Sequence, residues 1–286
     1  LASQSADKKD DTTQNSKERI LIPVSNEETA EELINLSLAV KAKKNTQHLY
    51  ALKVLDNQSA TDDNQIKKSQ RLLENAALSA AATDTHLQTL LRYDINVSNA
   101  ILSVILEHNI TDLILGLHKE KGISTSFFGR ITEGIIGHGD VTTFIYKPTQ
   151  PLSTMKRHLI IIPPHAEKEA GFTQWVEKIG HVVQNTGSKT VFYGTEETLS
   201  RLKSLLNKHS LEAEYTLFTD WDDFLIVFRD VQKNDILWII LSRNQGVSFH
   251  SGMNRIPGYL NKYFQNNSFI LVYPTQAQVT ENRYLT

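Results

Sequence analysis

The sequence has no cysteine, no marked excess of charge of either sign and no long apolar run. Without cysteine there are no disulfides, thiolate zinc sites or cysteine nucleophiles, which fits a reducing compartment. The 30 Lys and Arg residues are balanced by 32 Asp and Glu residues, so the net charge of -2 suggests no nucleic-acid partner. No apolar stretch approaches the roughly 20 residues that span a bilayer. We therefore expect a soluble, cytoplasmic chain.

Sequence motifs of metal and catalytic sites are missing as well. The ten histidines show neither the H-x3-H nor the HExxH spacing, so the sequence predicts no metal site. No nucleophile elbow or compact Ser/His/Asp pattern stands out, although a triad scattered along the chain would leave no such pattern. We expect no catalytic residues and a protein that is not an enzyme.

The first 18 residues have almost nothing to bury. They consist mainly of Ser, Asp, Lys, Thr, Gln and Asn, a composition that cannot offset the entropy cost of ordering. Residues 1–18 are therefore predicted to form a polar tail or linker. Because the chain begins at Leu1 instead of Met, we expect a piece of a longer protein; a processed or engineered terminus is the alternative.

From Arg19 onward, short apolar runs alternate with helical patterns. The run RILIPVS is typical of a strand buried on both faces, and Ser25 and Glu28 then have capping-box spacing at a helix start. Further strands are predicted at HLYALKVL, HLQTLLRY, TDLILGLH and VTTFIYKP, each separated from the next by a helix. This alternation predicts an α/β fold with a parallel sheet covered by helices on both faces.

The same order of elements begins again after the segment TQPLSTM. RHLIIIPP at 157–164 repeats RILIPVS, and NDILWIILS at 234–242 repeats TDLILGLH. The second copy is about 15 residues shorter between these strands, and we place the loss in its second helix. The sequence thus predicts domain 1 at residues 19–150 and a degenerate domain 2 at residues 151–286.

The segment GLHKEKGISTSFFGRITEG, residues 116–134, follows a predicted buried strand and leads into a helix. Its spacing resembles the phosphate signature G-x2-G-x9-G-[ST] of universal stress protein domains. Gly116 and Gly129 take the first and third glycine positions, whereas Lys119 replaces the second glycine and Arg130 replaces the hydroxyl residue. Glycines let backbone N–H groups approach phosphate oxygens, and a helix start attracts anions.

The resemblance covers roughly residues 19–275 and implies two tandem Rossmann-like (adenine nucleotide alpha hydrolase-like) domains. In that family, domains pair through their final strands, so we expect a pseudo-dimer within one chain. ERILIPVSNEETAEELINL, YALKVLDN and ITDLILGLHKEKGISTSFFGRITEGI are also similar to the cytoplasmic C-terminal region of bacterial monovalent cation:proton (sodium/proton) antiporters. This implies a regulatory domain whose partner is the membrane antiporter domain of the same polypeptide, at the cytoplasmic face of the inner membrane. The alternative is a free-standing tandem universal stress protein that binds ATP.

The resemblance also implies a nucleotide site in domain 1, with ATP, ADP or AMP as ligand. Phosphates would lie against backbone N–H groups between Gly129 and Ile131, and adenine near the ends of the first two strands. The expected site residues are Pro23, Val24, Ser25, Val54, Gly116, His118, Lys119, Gly129, Arg130 and Ile131. Two alternatives stay open, a retained connector that binds nothing and a site for another small anion. In the second copy, Gly246 and Gly252 do not match the signature spacing, so we expect no nucleotide there.

Overall fold

The computed structural model describes residues 18–42, 47–56, 61–117, 127–209, 211–229 and 231–276. In the first half, strands and helices alternate as the sequence predicts. The strands are β1 (Ile20–Pro23), β2 (Leu49–Leu55), β3 (Leu87–Tyr93), β4 (Asp112–Gly116) and β5 (Thr142–Lys147). The helices are α1 (Glu27–Val40), α2 (Asp63–Ala81), α3 (Val97–Glu107) and α4 (Gly129–His138).

The second half repeats this order with shorter helices. Its strands are β6 (Arg157–Ile161), β7 (Lys189–Gly194), β8 (Ala213–Leu217), β9 (Asp235–Ile240) and β10 (Ser268–Tyr273). Its helices are α5 (Phe172–Thr186), α6 (Glu196–Leu206) and α7 (Ile256–Tyr263). The counterpart of α3 is a 3-10 segment, Trp221–Phe228. The counterpart of α2 has 11 residues instead of 19, which accounts for part of the predicted deletion.

The strands of both halves form one ten-stranded sheet in the order β3-β2-β1-β4-β5-β10-β9-β6-β7-β8. Strands within each half are parallel, whereas β5 and β10 pair antiparallel with Tyr146 opposite Ile270. The final strands of the two halves therefore join them about an approximate twofold axis. This confirms the predicted α/β fold class and the pairing of the halves as a pseudo-dimer.

Two apolar cores lie on the two faces of the sheet. In β1, Ile20 and Ile22 belong to one core and Leu21 to the other, and all three are fully buried. In β6, Ile160 and Ile161 divide in the same way. Because side chains alternate between the faces of a strand, a continuous apolar run is what a strand covered on both faces requires.

Helices α1 and α5 pack against each other where the halves meet, and we call this contact the α1–α5 seam. Lys178 of α5 forms ion pairs with Glu18 and, at 3.0 Å, with Asp112. Burial would lower the pKa of Lys178, but the attraction of the two carboxylates together raises it. Asn185 donates a hydrogen bond of 3.1 Å to the carbonyl of Ala39. The seam is therefore held by buried charges and by backbone carbonyls of α1.

Two sequence predictions need correction at the start of the fold. Glu18, which the sequence places in the polar tail, contacts Lys178 instead, while residues 1–17 lie outside the described part of the chain. The predicted capping box of Ser25 and Glu28 is wrong, because Asn26 is the N-cap of α1 and its side chain accepts from the Thr29 N–H at 3.0 Å. Ser and Asn are both good N-caps, and because α1 begins at Glu27, Asn26 and not Ser25 occupies the capping position.

Candidate nucleotide-binding site

The crevice between β1 and β4 is the topological switch point of domain 1. The chain leaves β1 toward β2 on one side and returns to β4 on the other, and ligands of open α/β sheets bind outside the carboxyl ends of such strands. Val24 follows β1 and donates its N–H to the Leu52 carbonyl of β2 at 2.8 Å. At this same edge the structure brings together five of the predicted residues: Pro23, Val24, Ser25, Val54 and Gly116.

The start of α4 supplies the next three predicted residues. Gly129 has a φ of 73°, a left-handed conformation that side chains rarely adopt, so the glycine is required by the turn into the helix. Arg130 and Ile131 follow in the first turn, and both are exposed. The Ser98 hydroxyl of α3 donates to the Ile131 carbonyl at 3.2 Å and fixes the helix beside α3. The remaining two, His118 and Lys119, lie outside the described residues.

Sequence reasoning missed Lys53, which adds a positive charge at the same edge. Its Nζ donates to the Ser25 carbonyl at 2.9 Å, so the ammonium sits directly beside the end of β1. Burial, with a smaller contribution from Lys68, lowers the pKa of Lys53. A single charged residue inside the apolar run LYALKVL was the signal that could have pointed to it, because an isolated lysine in a buried strand needs a partner at the strand end.

The corresponding crevice of domain 2, between β6 and β9, contains a carboxylate of the protein itself. Glu169 Oε1 accepts three hydrogen bonds from the loop after β9: from the Ser242 hydroxyl at 3.0 Å, the Ser248 N–H at 3.0 Å and the Ser248 hydroxyl at 2.7 Å. A Cβ on Gly246 would lie 2.5 Å from that same Oε1 atom, so the loop closes tightly around the carboxylate. A fixed negative charge at this place repels a phosphate, which gives a physical reason to expect no nucleotide in domain 2.

The glycine-rich segment 134–140 ends α4 and does not form a second phosphate loop. Gly139 is the C-cap, and its N–H donates to the Ile135 carbonyl. Arg243 of domain 2 donates to the Ile136 carbonyl and, at 3.1 Å, to the Val141 carbonyl. A cation at a helix C-terminus is stabilised by the helix dipole, so Arg243 holds the end of α4 against the other half.

A cavity of about 1000 Å³ lies between α4 and α7 above the paired strands β5 and β10. Its lining includes Leu117, Phe127 and Phe128, which flank residues 118–126. The residues expected to hold adenine are not among its lining residues. The cavity and the switch-point crevice are therefore two different surfaces that meet near the start of α4.

Two halves with parallel strands, joined by a central antiparallel pair, define a tandem Rossmann-like α/β fold. The model of the Universal stress protein family matches residues 17–147, the part of the chain that contains β1 to β5. No curated protein sequence matched the chain.

Solved structures resemble the whole two-domain chain. A universal stress protein from Archaeoglobus fulgidus DSM 4304 is 14% identical with a TM-score of 0.60, over 92% of this chain and 100% of that one. A putative universal stress protein from Pseudomonas aeruginosa UCBPP-PA14 is 11% identical with a TM-score of 0.57, over 91% of this chain and 94% of that one. The cytoplasmic domain of a prokaryotic cation chloride cotransporter is 10% identical with a TM-score of 0.57, over 90% and 95% of the two chains.

These likenesses establish the fold and confirm the resemblance to tandem universal stress protein domains, an architecture that also occurs as the cytoplasmic part of a transporter. Within the described residues, no helix combines the length and the apolar character needed to cross a membrane.

Proposed function

We propose that this chain is the cytoplasmic regulatory module of a monovalent cation:proton antiporter and that domain 1 binds an adenine nucleotide. The observation that carries the nucleotide part is the difference between the two switch points. Domain 1 places Lys53 and the start of α4 at its crevice, whereas domain 2 places Glu169 there. Positive charge and a helix start favour phosphate, and a carboxylate disfavours it.

The positions of the charges indicate how the ligand binds. Phosphates lie near Arg130 and the first turn of α4, and the base lies toward Val24 and Val54, with Lys53 between the two. Arg130 stands where the family signature has a hydroxyl residue, so the loop exchanges a neutral donor for a cation. We propose binding without hydrolysis, because this exchange removes the hydroxyl that would help to orient the phosphates for attack by water.

The transport part of the proposal is supported by architecture and by resemblance. The whole tandem arrangement is shared with the cytoplasmic domain of a cation chloride cotransporter, and segments of domain 1 are similar to the cytoplasmic region of cation:proton antiporters. A module of this kind acts when a ligand stabilises one conformation and thereby shifts the equilibrium of an attached transport domain. A free-standing tandem protein that binds ATP is the second candidate, favoured by the likeness to universal stress proteins over the full length.

Calorimetry on the purified chain tests the nucleotide site. We expect a Kd in the range of about 1 mM for ATP, and a loss of affinity of about tenfold in the variant Lys53→Met/Arg130→Ala. Lys189→Ala, an exposed lysine of β7 in domain 2, is the matched control and should leave the heat unchanged. A flat trace for the wild type at several times this concentration, or equal heats in the double variant, would contradict the site and favour a retained connector.

Transport assays on the full reading frame test the regulatory role. In inverted vesicles, cation-dependent collapse of an imposed pH gradient is measured with and without nucleotide, for the full protein, for the Lys53→Met/Arg130→Ala variant and for a protein that lacks this module. We expect the nucleotide effect to disappear in the last two. A reading frame without apolar membrane segments would instead favour the free-standing protein, even if calorimetry shows binding.

A further inference from the structure

Three side chains with metal-binding atoms meet on the outer surface of domain 2, next to the α1–α5 seam. Glu177 and His181 are four residues apart on α5 and therefore lie on the same face of the helix. His209 comes from the turn after α6. One ligand atom from each residue lies within 4.8 Å of the other two, and all three residues are half-buried.

The hydrogen bonds of His181 leave the correct nitrogen available for a metal ion. Its Nδ1 lies 3.2 Å from the Val40 carbonyl of α1. Because a carbonyl oxygen only accepts, Nδ1 carries the hydrogen, and Nε2 keeps its lone pair. Histidines that bind metals usually donate their other N–H to a carbonyl or a carboxylate in this way, which fixes both the tautomer and the ring orientation.

The position of His209 depends on a glycine of α5. A Cβ on Gly180 would lie 3.2 Å from both Nε2 and Cδ2 of His209, closer than most real contacts of this kind. The absence of a side chain at Gly180 thus lets the imidazole lie against the helix, where its Nε2 is 3.1 Å from Glu177 Oε2. The backbone N–H of His209 also donates to the Leu206 carbonyl at 2.8 Å, which holds the turn in place.

Neighbouring positive charges leave room for a cation. Lys208 contacts the other oxygen of Glu177, Oε1, at 2.7 Å, but its side chain is 63% exposed and can move into solvent. Lys178 is the next residue to Glu177, but its charge is directed to Glu18 and Asp112 at the seam. The carboxylate of Glu177 can therefore supply Oε2 to a metal ion while Oε1 faces Lys208.

We propose that Glu177, His181 and His209 form a binding site for a divalent transition metal ion, with Zn²⁺ the best chemical match. Two imidazoles and one carboxylate are a ligand set that Zn²⁺ takes with a fourth position open to water. Tetrahedral bonds of about 2.1 Å place ligand atoms about 3.4 Å apart. The Glu177–His209 separation is already close to this value, so small side-chain rotations complete the geometry. The bound ion would join α5, the turn after α6 and, through the His181–Val40 bond, α1 of domain 1.

A hydrogen-bonded Glu177–His209 pair that holds α6 against α5 is the competing explanation, and titration of the whole chain with Zn²⁺ distinguishes the two. We expect one high-affinity ion per chain, a rise in the melting temperature with Zn²⁺, and visible absorption of four-coordinate type with Co²⁺. His181→Ala and His209→Ala should each weaken Zn²⁺ binding by more than the roughly 10- to 100-fold that follows when only a hydrogen-bond partner of a ligand is removed. His86→Ala is the control, because the rings of His48 and His86 form another close imidazole pair, with centroids 4.3 Å apart.

Gly180→Ala sharpens the test because it keeps all three ligands. Its new methyl group would press on His209 and, at 3.0 Å, on Leu206 Cδ2, so the imidazole must shift and we expect weaker Zn²⁺ binding. Gly258→Ala, where a Cβ would meet nothing within 4 Å, should bind as the wild type does. Zn²⁺ binding that is unchanged in His181→Ala and His209→Ala, or lost equally in His86→Ala, overturns the proposal. Circular dichroism and melting without metal show whether each variant is folded.

Discussion

The two domains place opposite charges at the carboxyl ends of their first and fourth strands. In domain 1, Lys53 and the start of α4 lie at this edge. In domain 2, Glu169 lies there and accepts hydrogen bonds from Ser242 and Ser248. The backbone frame is the same in both halves, since each has a switch point between its first and fourth strands. Among the residues that the structure describes at this edge, the charge differs between the two halves. The crevice is therefore common to both halves, and its side chains determine the charge that a ligand would meet.

A second contrast concerns the aspartates that begin β4 and β9. Arg157 of the same domain donates two hydrogen bonds to the Asp235 carboxylate, from Nε to Oδ1 at 3.1 Å and from Nη2 to Oδ2 at 2.6 Å. In domain 1 the residue opposite Asp112 is the apolar Ile20, Arg19 donates to the His108 carbonyl, and Asp112 pairs with Lys178 of the other domain. Domain 2 therefore balances its aspartate internally, whereas domain 1 depends on its neighbour.

The largest loss of stability is expected when Lys178, the partner of Asp112 in the other domain, is replaced. Lys178→Met removes the cation that faces both Glu18 and Asp112, and leaving buried carboxylates without a partner costs about 3 to 5 kcal/mol of the free energy of unfolding. Denaturant titration measures the loss. Lys189→Ala, which breaks an exposed ion pair, should cost less than about 1 kcal/mol. If Arg157→Ala destabilises the protein as much as Lys178→Met does, the contrast between the two aspartates is not energetic.

Acid is expected to act on the second domain through His158. Trp238 donates to the Nδ1 atom of His158 at 3.0 Å, so Nε2 carries the hydrogen, and Nε2 lies 3.1 Å from the Thr186 hydroxyl oxygen. Burial lowers the pKa of His158 to about 4. The unfolded chain, with a pKa near 6.5, binds the proton more readily. The contribution of His158 to the free energy of unfolding is therefore fully present above pH 6.5 and decreases by about 3 kcal/mol as the pH falls toward 4.

Unfolding free energies measured from pH 7 to pH 4.5 test this slope. In His158→Gln the slope should be smaller, whereas His165→Gln, at an exposed histidine, should keep it. In domain 1, the position that corresponds to His158 is the buried Ile20, so this acid sensitivity belongs to one half. An unchanged slope in His158→Gln would assign the effect to other groups.

A smaller loss of stability is expected when Glu169, the carboxylate at the crevice of domain 2, is removed. Glu169→Ala leaves the donors of Ser242 and Ser248 without their acceptor, which should cost about 2 to 3 kcal/mol. Glu167→Ala removes an acceptor of one hydrogen bond, from Thr198, and is the matched control. Urea midpoints measure both variants. Equal losses would mean that the Glu169 contacts do not hold the loop.

The smallest expected effect is stabilisation by nucleotide. At a ligand concentration equal to Kd, binding raises the free energy of unfolding by only about 0.4 kcal/mol. Because cations attract the phosphates, the shift in melting temperature should follow ATP over ADP over AMP and decrease with added salt. Thermal melts at low and high salt measure it. A shift that is equal for AMP and ATP, or that does not change with salt, would contradict a site built on Lys53 and Arg130.

Local patterns predicted much of the fold. The apolar runs gave β1, β4, β6 and β9 because burial on both faces leaves no room for polar residues in a strand. Gly187, just past the apolar helical pattern of α5, is its C-cap and has a φ of 63°, which is the conformation that favours glycine. Gly129 was singled out by spacing, and its left-handed backbone gives the physical reason.

Contacts between distant segments could not be predicted in this way. Lys178 and Glu18 are 160 residues apart, and Glu169 and Ser248 are 79 apart. Periodicity indicates that a side chain is buried but not which segment it meets. The same limit explains why the sequence did not predict the proposed metal site. Glu177 and His181 have helical spacing in the sequence, whereas His209 joins them only through the packing of α6 on α5.

The pairing of β5 with β10 has a consequence for synthesis of the chain. β5 ends at Lys147, but its partner begins at Ser268, so the ribosome must add about 120 residues before that edge of the sheet is covered. Phe144, Ile145 and Tyr146, fully buried in the finished protein, lie in that edge strand. An uncovered apolar edge is a template for pairing with another chain. A polypeptide that stops after the first domain should therefore associate with a second copy through β5, and completion of the second domain replaces that encounter with an intramolecular one.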